Sequence, residues 1–395
     1  MARKITSGWL QAYRRYIHKQ EAPDLFHFWI ALTLISATLK RNIWIDRGAY
    51  KVFPNQYVIL VAESASCRKS VAMELGLDLL LTNKDIRAVH ERTTVEGLTD
   101  LMNRAAVSPT GKIRPDGSVL LHADELSNMF SKASYITDLV SFLTAAYTAK
   151  ARLDFLTRNK GFVQVRNPCP VILAGTTPGQ LGEIFPAMAL YSGFFGRILL
   201  VTAKRGHKEA KPNVRKDMAQ SLIDDLYDMS LVQGEIKLST ECDNFYTKWY
   251  MEMKESPTPD LNAFYERKHD HVLKTAMLLS ISESNDMVIT KTHLLAAIDA
   301  IEFLEQGITR TVEFIGATAK SGVGDLIVKI IRKNEPEAMS HSTLMRRMHR
   351  KIQDAKEFNE VIQTLMDEDR KVLYGFPDFF SHLLPPFLLY KIHLF

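Results

Sequence analysis

Lys69 and Ser70 close the stretch AESASCRKS at residues 62–70, directly after the apolar run YVILV at 57–61. A lysine and a hydroxyl residue where a strand gives way, through a loop, to a helix form an arrangement that holds phosphate. Loop amides and the positive end of the helix face the anion, the lysine reaches the outer phosphates, and the hydroxyl serves a divalent cation. Such loops ordinarily carry glycine, because their backbone needs positive φ or close approach to the ligand. Here Glu63 and Arg68 stand in the two glycine places, and Ser66 in a third that is often glycine. The phosphate-contacting stretch is therefore Ser64, Ala65, Ser66, Cys67, Arg68, Lys69, Ser70 and Val71, with Lys69 and Ser70 in the side-chain roles. A lysine-serine pair after a strand also suits a plain strand-to-helix turn, so residues further along must decide.

Three later runs end in residues that complete such a site. SVLLHADE at 118–125 is an apolar strand closing on Asp124 and Glu125. The aspartate would hold Mg²⁺ through water and the glutamate would polarise the water that attacks a γ-phosphate; an N-cap at Asp124 is the competing reading. PVILAGTTP at 170–178 is a further apolar strand with the hydroxyls of Thr176 and Thr177 at its end, placed to sense the γ-phosphate or simply to open a turn. GFFGRILLV at 193–201 puts Arg197 at the mouth of another strand, where an arginine reaches a phosphate across a subunit boundary or pairs with a surface acid.

These groups need a scaffold, and the pattern of apolar runs predicts one. Strands at 43–46 and 57–61 follow helices over 8–40; helices are expected over 70–81, 95–106 and 136–149, with a turn-rich loop at 109–117. Alternating strands and helices predict an α/β fold with a mostly parallel sheet, the ligand lying at the carboxyl ends of the strands. LDFLT and GFVQVR, flanking Arg158-Asn159-Lys160, read as a β-hairpin with a basic tip. Polar, basic residues 206–212 suggest a linker, and helices follow over 218–231, 242–254, 261–282 and 291–314. Helices over 326–332, 342–348 and 358–369 with a short strand at 371–374 outline a winged helix, in which Arg346, Arg347 and Arg350 would contact a DNA backbone. Such modules also bind proteins.

At 395 residues the chain exceeds one ordinary core. The expected division is an N-terminal helical region 1–42, an ATPase core 43–205, a helical lid 206–320, a winged-helix-like domain 321–375 and an apolar tail 376–395. Apolar residues at 46% and charged ones at 24% place it among globular proteins rather than disordered or fibrous ones. Without an apolar stretch of membrane-spanning length or a secretory leader pattern, a cytoplasmic location is expected. Cys67, Cys169 and Cys242 have neither disulfide-framework nor zinc-like spacing. The net charge of +5 permits nucleic acid without requiring it.

Taken in order, FHFWIALTLIS at 26–36, YVILV with Arg68-Lys69-Ser70, ADELS at 123–127, AGTTP at 174–178 and GFFGR at 193–197 resemble the P-loop, AAA+-like helicase part of phage and mobile-element primase-helicase proteins, over roughly residues 20–310. The resemblance implies an ATP- and Mg²⁺-dependent DNA helicase or translocase working in replication as a homo-oligomeric ring, a hexamer, on single-stranded or forked DNA, with replication proteins as further partners. It implies that Lys69 contacts the β- and γ-phosphates, Ser70 and Asp124 hold Mg²⁺, Glu125 activates water, Thr176 or Thr177 senses the γ-phosphate and Arg197 acts on a neighbour's nucleotide. The hairpin would point into the ring's pore with Arg158 and Lys160 on DNA, a solvated basic turn being the alternative; Arg267, at the start of a lid helix, reads first as an exposed helical arginine and otherwise as a second sensor. A helicase loader shares these motifs, and a non-hydrolysing DNA-binding assembly protein with a degenerate loop is the alternative from another class.

Overall fold

The computed structural model describes residues 5–64, 67–104, 106–107, 113–130, 133–157, 161–184, 193–333, 341–348, 358–359 and 361–363. Two compact units divide it, Met1–Val312 and Glu313–Phe395. Among the described residues no helix is long and apolar enough to cross a membrane.

The first unit opens with helices α1 (Trp9–Tyr16) and α2 (Asp24–Leu39). Helix α2 is apolar on all sides, and from Trp29 to Leu39 every residue is buried, so it serves as a central post rather than an amphipathic cover. The chain continues through β1 (Ile43–Asp46), β2 (Lys51–Val52), β3 (Tyr57–Val61), α3 (Lys69–Leu80), β4 (Ala88–His90), α4 (Val95–Met102), β5 (Ala106–Val107) and β6 (Ile113–Arg114). There follow β7 (Gly117–Ala123), α5 (Leu126–Met129), α6 (Ala133–Ala146), β8 (Arg152–Thr157), β9 (Gly161–Arg166), β10 (Pro168–Thr176), α7 (Pro178–Ile184) and β11 (Ile198–Thr202). After these come α8 (Ala219–Ser230), β12 (Gly234–Glu235), β13 (Lys237–Leu238), α9 (Thr240–Met251), α10 (Asn262–Glu283), β14 (Val288–Ile289), α11 (Lys291–Lys333) and α12 (His341–Met348).

Five strands form one all-parallel sheet in the order β11-β3-β10-β7-β4. Strands β3 and β10 are buried along their whole length, as near-continuous Val, Ile and Leu runs require when helices cover both faces. The strand that ends in the hydroxyls, β10, is inserted between β3, which feeds the lysine loop, and β7, which ends at the two acids. In register, Thr176 pairs with Val61 and Ala174 with Ala123, so β3 and β10 end level and β7 ends two residues earlier at the same edge.

Strands β8 and β9 form the expected hairpin, Leu156 opposite Phe162. Its inner face packs down: Val163 and Val165 are buried and Phe155 meets Phe142 edge-on. Its outer face exposes Leu156 at 79% and Phe162 at 67%, where strand alternation calls for polar residues.

Helix α11 corrects one expectation. The sequence predicts two helices, 291–314 and 326–332, but a single helix runs from Lys291 to Lys333 through Gly316, Gly322 and Gly324. Each glycine weakens a helix by about 1 kcal/mol without breaking it. In the second unit Ile327, Leu344, Met348, Phe358 and Val361 form a small separate core. Arg346 and Arg347 are exposed on α12. Arg350, like the tail 376–395, lies outside the described residues.

Candidate nucleotide site

Strand β3 delivers the chain to residue 62 at the carboxyl edge of the sheet, and α3 begins at Lys69. Arg68, the residue just before the helix, has φ 49° and ψ 39°, the left-handed conformation. A β-carbon there costs roughly 1–2 kcal/mol, which is why glycine is usual. An arginine here holds a backbone conformation that is usual for glycine. Its side chain is anchored from outside, Arg68 Nε lying 2.9 Å from Glu21 Oε2. The Arg68 side chain does not cap α3, and among the described residues the N–H groups of its first turn have no intrahelical or side-chain acceptor. Ser70 and Val71 are exposed on that turn, while Cys67 is buried with Sγ 3.6 Å from the Ala203 carbonyl. Ser64 is exposed just after β3; Ala65 and Ser66 lie outside the described residues.

Lys69 is buried, and its Nζ donates to the Ala62 carbonyl at 2.7 Å and, more weakly, towards that of Glu63 at 3.5 Å. Burial draws its pKa down, opposed first by the charge of Glu125. The lysine thus stands within electrostatic reach of the catalytic candidate. Gly175 fixes how closely these pieces meet: a β-carbon there would lie 2.5 Å from the Asp124 carbonyl and 3.5 Å from Lys69 Cε. Asp124 is exposed, and Glu125 is half-buried with Oε2 out of water and without a hydrogen-bond partner among the described residues. Lys69, Asp124 and Glu125 therefore share one end of the sheet, as their order in the sequence predicts.

The two threonines differ. Thr176 is fully buried beside the loop, its carbonyl accepting the Ala62 N–H at 3.2 Å and its hydroxyl donating to the Thr177 carbonyl. Thr177 Oγ1 instead accepts the Gln180 N–H at 3.3 Å while Gln180 Oε1 accepts the Thr177 N–H at 3.4 Å. That is a capping box opening α7, legible in the T-x-x-Q spacing, so Thr177 has a structural task and Thr176 is the better-placed of the pair.

Arg197 lies apart from Lys69, Asp124 and Glu125. It precedes β11, whose Ile198 pairs with Tyr57 at the start of β3, so it lies at the amino edge of the sheet, five residues or about 16 Å of strand from the phosphate loop. It cannot serve its own chain's loop. Nor does it project outwards: it is 8% exposed, Nη1 donates to the Gly193 carbonyl, and its guanidinium lies 5.7 Å from the Tyr147 ring centre. Burial, then the neighbouring charge of Arg267, holds its pKa below the usual range. Arg267 accordingly belongs to this same edge, paired with Asp270 at 3.5 Å, and not to the phosphate loop where a sensor of the chain's own nucleotide would sit. Sequence order alone says which strand an arginine precedes and not which edge its helix partner reaches.

Sequence reasoning missed His90, Glu91 and His122. Strand β4 ends at His90, whose ring stacks on His122 at 4.6 Å. Glu91, at φ 64°, accepts the Asp124 N–H on Oε1 at 3.0 Å. His90, Glu91 and Asp124 each offer a ligand atom within 4.8 Å of the others. Burial, together with His90, pulls the His122 imidazole down to about 4. The only signal was His-Glu after a strand of three residues, too short to register as an apolar run. Arg158 and Lys160 lie outside the described residues.

No family model and no characterised protein matches the chain.

Proposed function

We propose that the chain is an ATP-dependent DNA helicase or translocase of a phage or mobile element, with a P-loop, AAA+-like core, working as a ring in DNA replication. The observation that carries this reading is the meeting of Lys69, Asp124, Glu125 and Thr176 at the carboxyl edge of three adjacent parallel strands, beside a left-handed Arg68 and an uncapped α3. Those uncapped N–H groups, the unpartnered Glu125 oxygen and the exposed Asp124 fit a magnesium nucleotide. Ser70 and Asp124 would hold the cation and the first-turn amides the phosphates.

Bound Mg²⁺–ATP supplies the phosphoanhydride bond and a cation to neutralise it. Lys69 exchanges the Ala62 carbonyl for phosphate oxygen, a swap that keeps its ammonium solvated by acceptors throughout. Glu125, with one oxygen unengaged, takes the proton of the attacking water. Thr176, held against the loop by the Ala62 N–H, positions the strand end beside both. Arg197, remote from its own chain's loop, would serve only a neighbouring chain's nucleotide. The hairpin supports a nucleic-acid role, since its exposed Leu156 and Phe162 flank Arg158 and Lys160 in sequence and offer apolar surface on which bases stack. The second unit, with Arg346 and Arg347 exposed, is read as the winged-helix-like module.

ATP hydrolysis measured with and without a forked duplex tests the reading. Lys69→Ala and Glu125→Gln are each expected to lower turnover at least 100-fold with unchanged melting curves. Hydrolysis at the parent rate in either variant refutes the site. Strand separation supports the helicase, stimulation by a partner protein alone supports a loader, and no turnover by the parent supports the non-hydrolysing alternative.

A further inference from the structure

After β11 ends at Thr202, the chain runs irregularly along residues 203–215 before α8 and its short lead-in turn. This segment is strapped to the molecule by its backbone. Lys19 and Asn213 form an antiparallel bridge, and Arg215 N donates to the Tyr16 carbonyl at 2.9 Å. Gln20 Nε2 donates to the Asn213 carbonyl at 2.8 Å, and Glu209 N to Glu21 Oε1 at 3.2 Å. Fixed by main-chain contacts, the strap leaves its side chains in solvent.

Those side chains are of one sign. Residues 203–217 hold six lysines and arginines against Glu209 and Asp217, an excess of four where the whole chain's is five. Asp217 is spent on Arg215 at 2.8 Å. Lys204, Lys208, Lys211 and Lys216 are exposed and have no acid within ion-pair distance among the described residues. His18 and Lys19, at the end of α1, join Lys216 around an open concavity of about 730 Å³. Cations spaced along a chain, rather than converging on one point, match a repeating row of charges and not a single anion.

The strap also borders the phosphate loop. Glu21 is buried, and its carboxylate is shared between Arg68 of that loop, at 2.9 Å, and Arg205 of the strap, at 3.5 Å. We infer that the strap, with His18 and Lys19, binds the phosphate backbone of a nucleic-acid strand, and that Glu21 transmits this binding to the loop. A strand that draws Arg205 off Glu21 changes the setting of Arg68. The coupling rests on the ATPase reading given above; the binding surface does not.

Binding of full-length protein to a fluorescein-labelled 20-nucleotide dT strand, followed by anisotropy without ATP at 50–200 mM salt, tests the surface. The combined variant Lys208→Gln, Lys211→Gln, Lys216→Gln is expected to bind at least tenfold more weakly. Its slope of log affinity against log salt should be shallower by about 2, since each neutralised contact removes roughly 0.7. The same change at Lys237, Lys248 and Lys254, exposed lysines elsewhere, leaves both unchanged. Equal binding by the two triple variants overturns the surface, as does binding by the parent to anionic phospholipid vesicles and not to the strand. Neither result touches the ATP site, which Lys69→Ala tests separately. Glu21→Gln is expected to keep strand binding while losing strand stimulation of hydrolysis; stimulation undiminished in that variant overturns the coupling.

Discussion

Replacing Arg68 by glycine and, separately, by alanine tests the left-handed residue on which the proposed phosphate site depends. Both variants lose the same contact to Glu21, and because the Arg68 side chain is 54% exposed that contact contributes at most about 1 kcal/mol. Their difference isolates the backbone. At φ 49°, alanine keeps a strain of roughly 1–2 kcal/mol that glycine lacks, while glycine's looser unfolded chain gives back about 0.4–1 kcal/mol. Glycine should therefore be the more stable by about 0.5–1 kcal/mol, with asparagine, which visits this conformation more readily, in between. In a right-handed helical position the order reverses, alanine leading by about 1 kcal/mol. Urea unfolding of the three variants, monitored by circular dichroism at fixed pH and salt, gives the sign directly from the midpoints. An alanine variant as stable as the glycine variant would refute a left-handed residue 68.

Other outcomes follow from single contacts. Gly175→Ala forces a β-carbon against the Asp124 carbonyl and should cost about 1–3 kcal/mol, read as a lower melting temperature, together with slower ATP turnover. Thr177→Ala removes half of the capping box and should cost about 1 kcal/mol while leaving turnover within twofold, whereas a tenfold loss would return Thr177 to the sensor role. Lys274, fully buried with Nζ on the Asn55 carbonyl and Oδ1 at 2.8 Å each, is lowered by burial to about 7. Its folded pKa lies below the unfolded value of 10.5, so the unfolded chain binds the extra proton between those limits and stability rises with pH across about 7 to 10.5. Lys274→Met should flatten that rise, by at most about 5 kcal/mol over the full window; melting temperatures at pH 7 and 9 that climb equally in both proteins would exclude it.

Periodic and local features could be read from the chain alone. The short apolar runs YVILV, SVLLHA and PVILAG, each bounded by polar or turn residues, read as buried strands, and they lead into the residues their spacing marks, Lys69, Asp124, Glu125 and Thr176. Local strand-to-loop chemistry is encoded within a few residues, so the hairpin and the order of site residues were legible too. Tertiary structure decided what depends on which strands become neighbours. The insertion of β10 between β3 and β7 brings the three strand ends to one edge and lets Gly175 admit Lys69 beside Asp124. The pairing of β11 with β3 sends Arg197 to the opposite edge, and the packing of α10 takes Arg267 with it. His90 and Glu91 enter the site only because β4 lies against β7. Glu21, 47 positions before Arg68, reaches it only through the fold. Such contacts between residues distant in sequence leave no periodic trace, because burial pattern specifies the face a side chain takes and not the partner it meets.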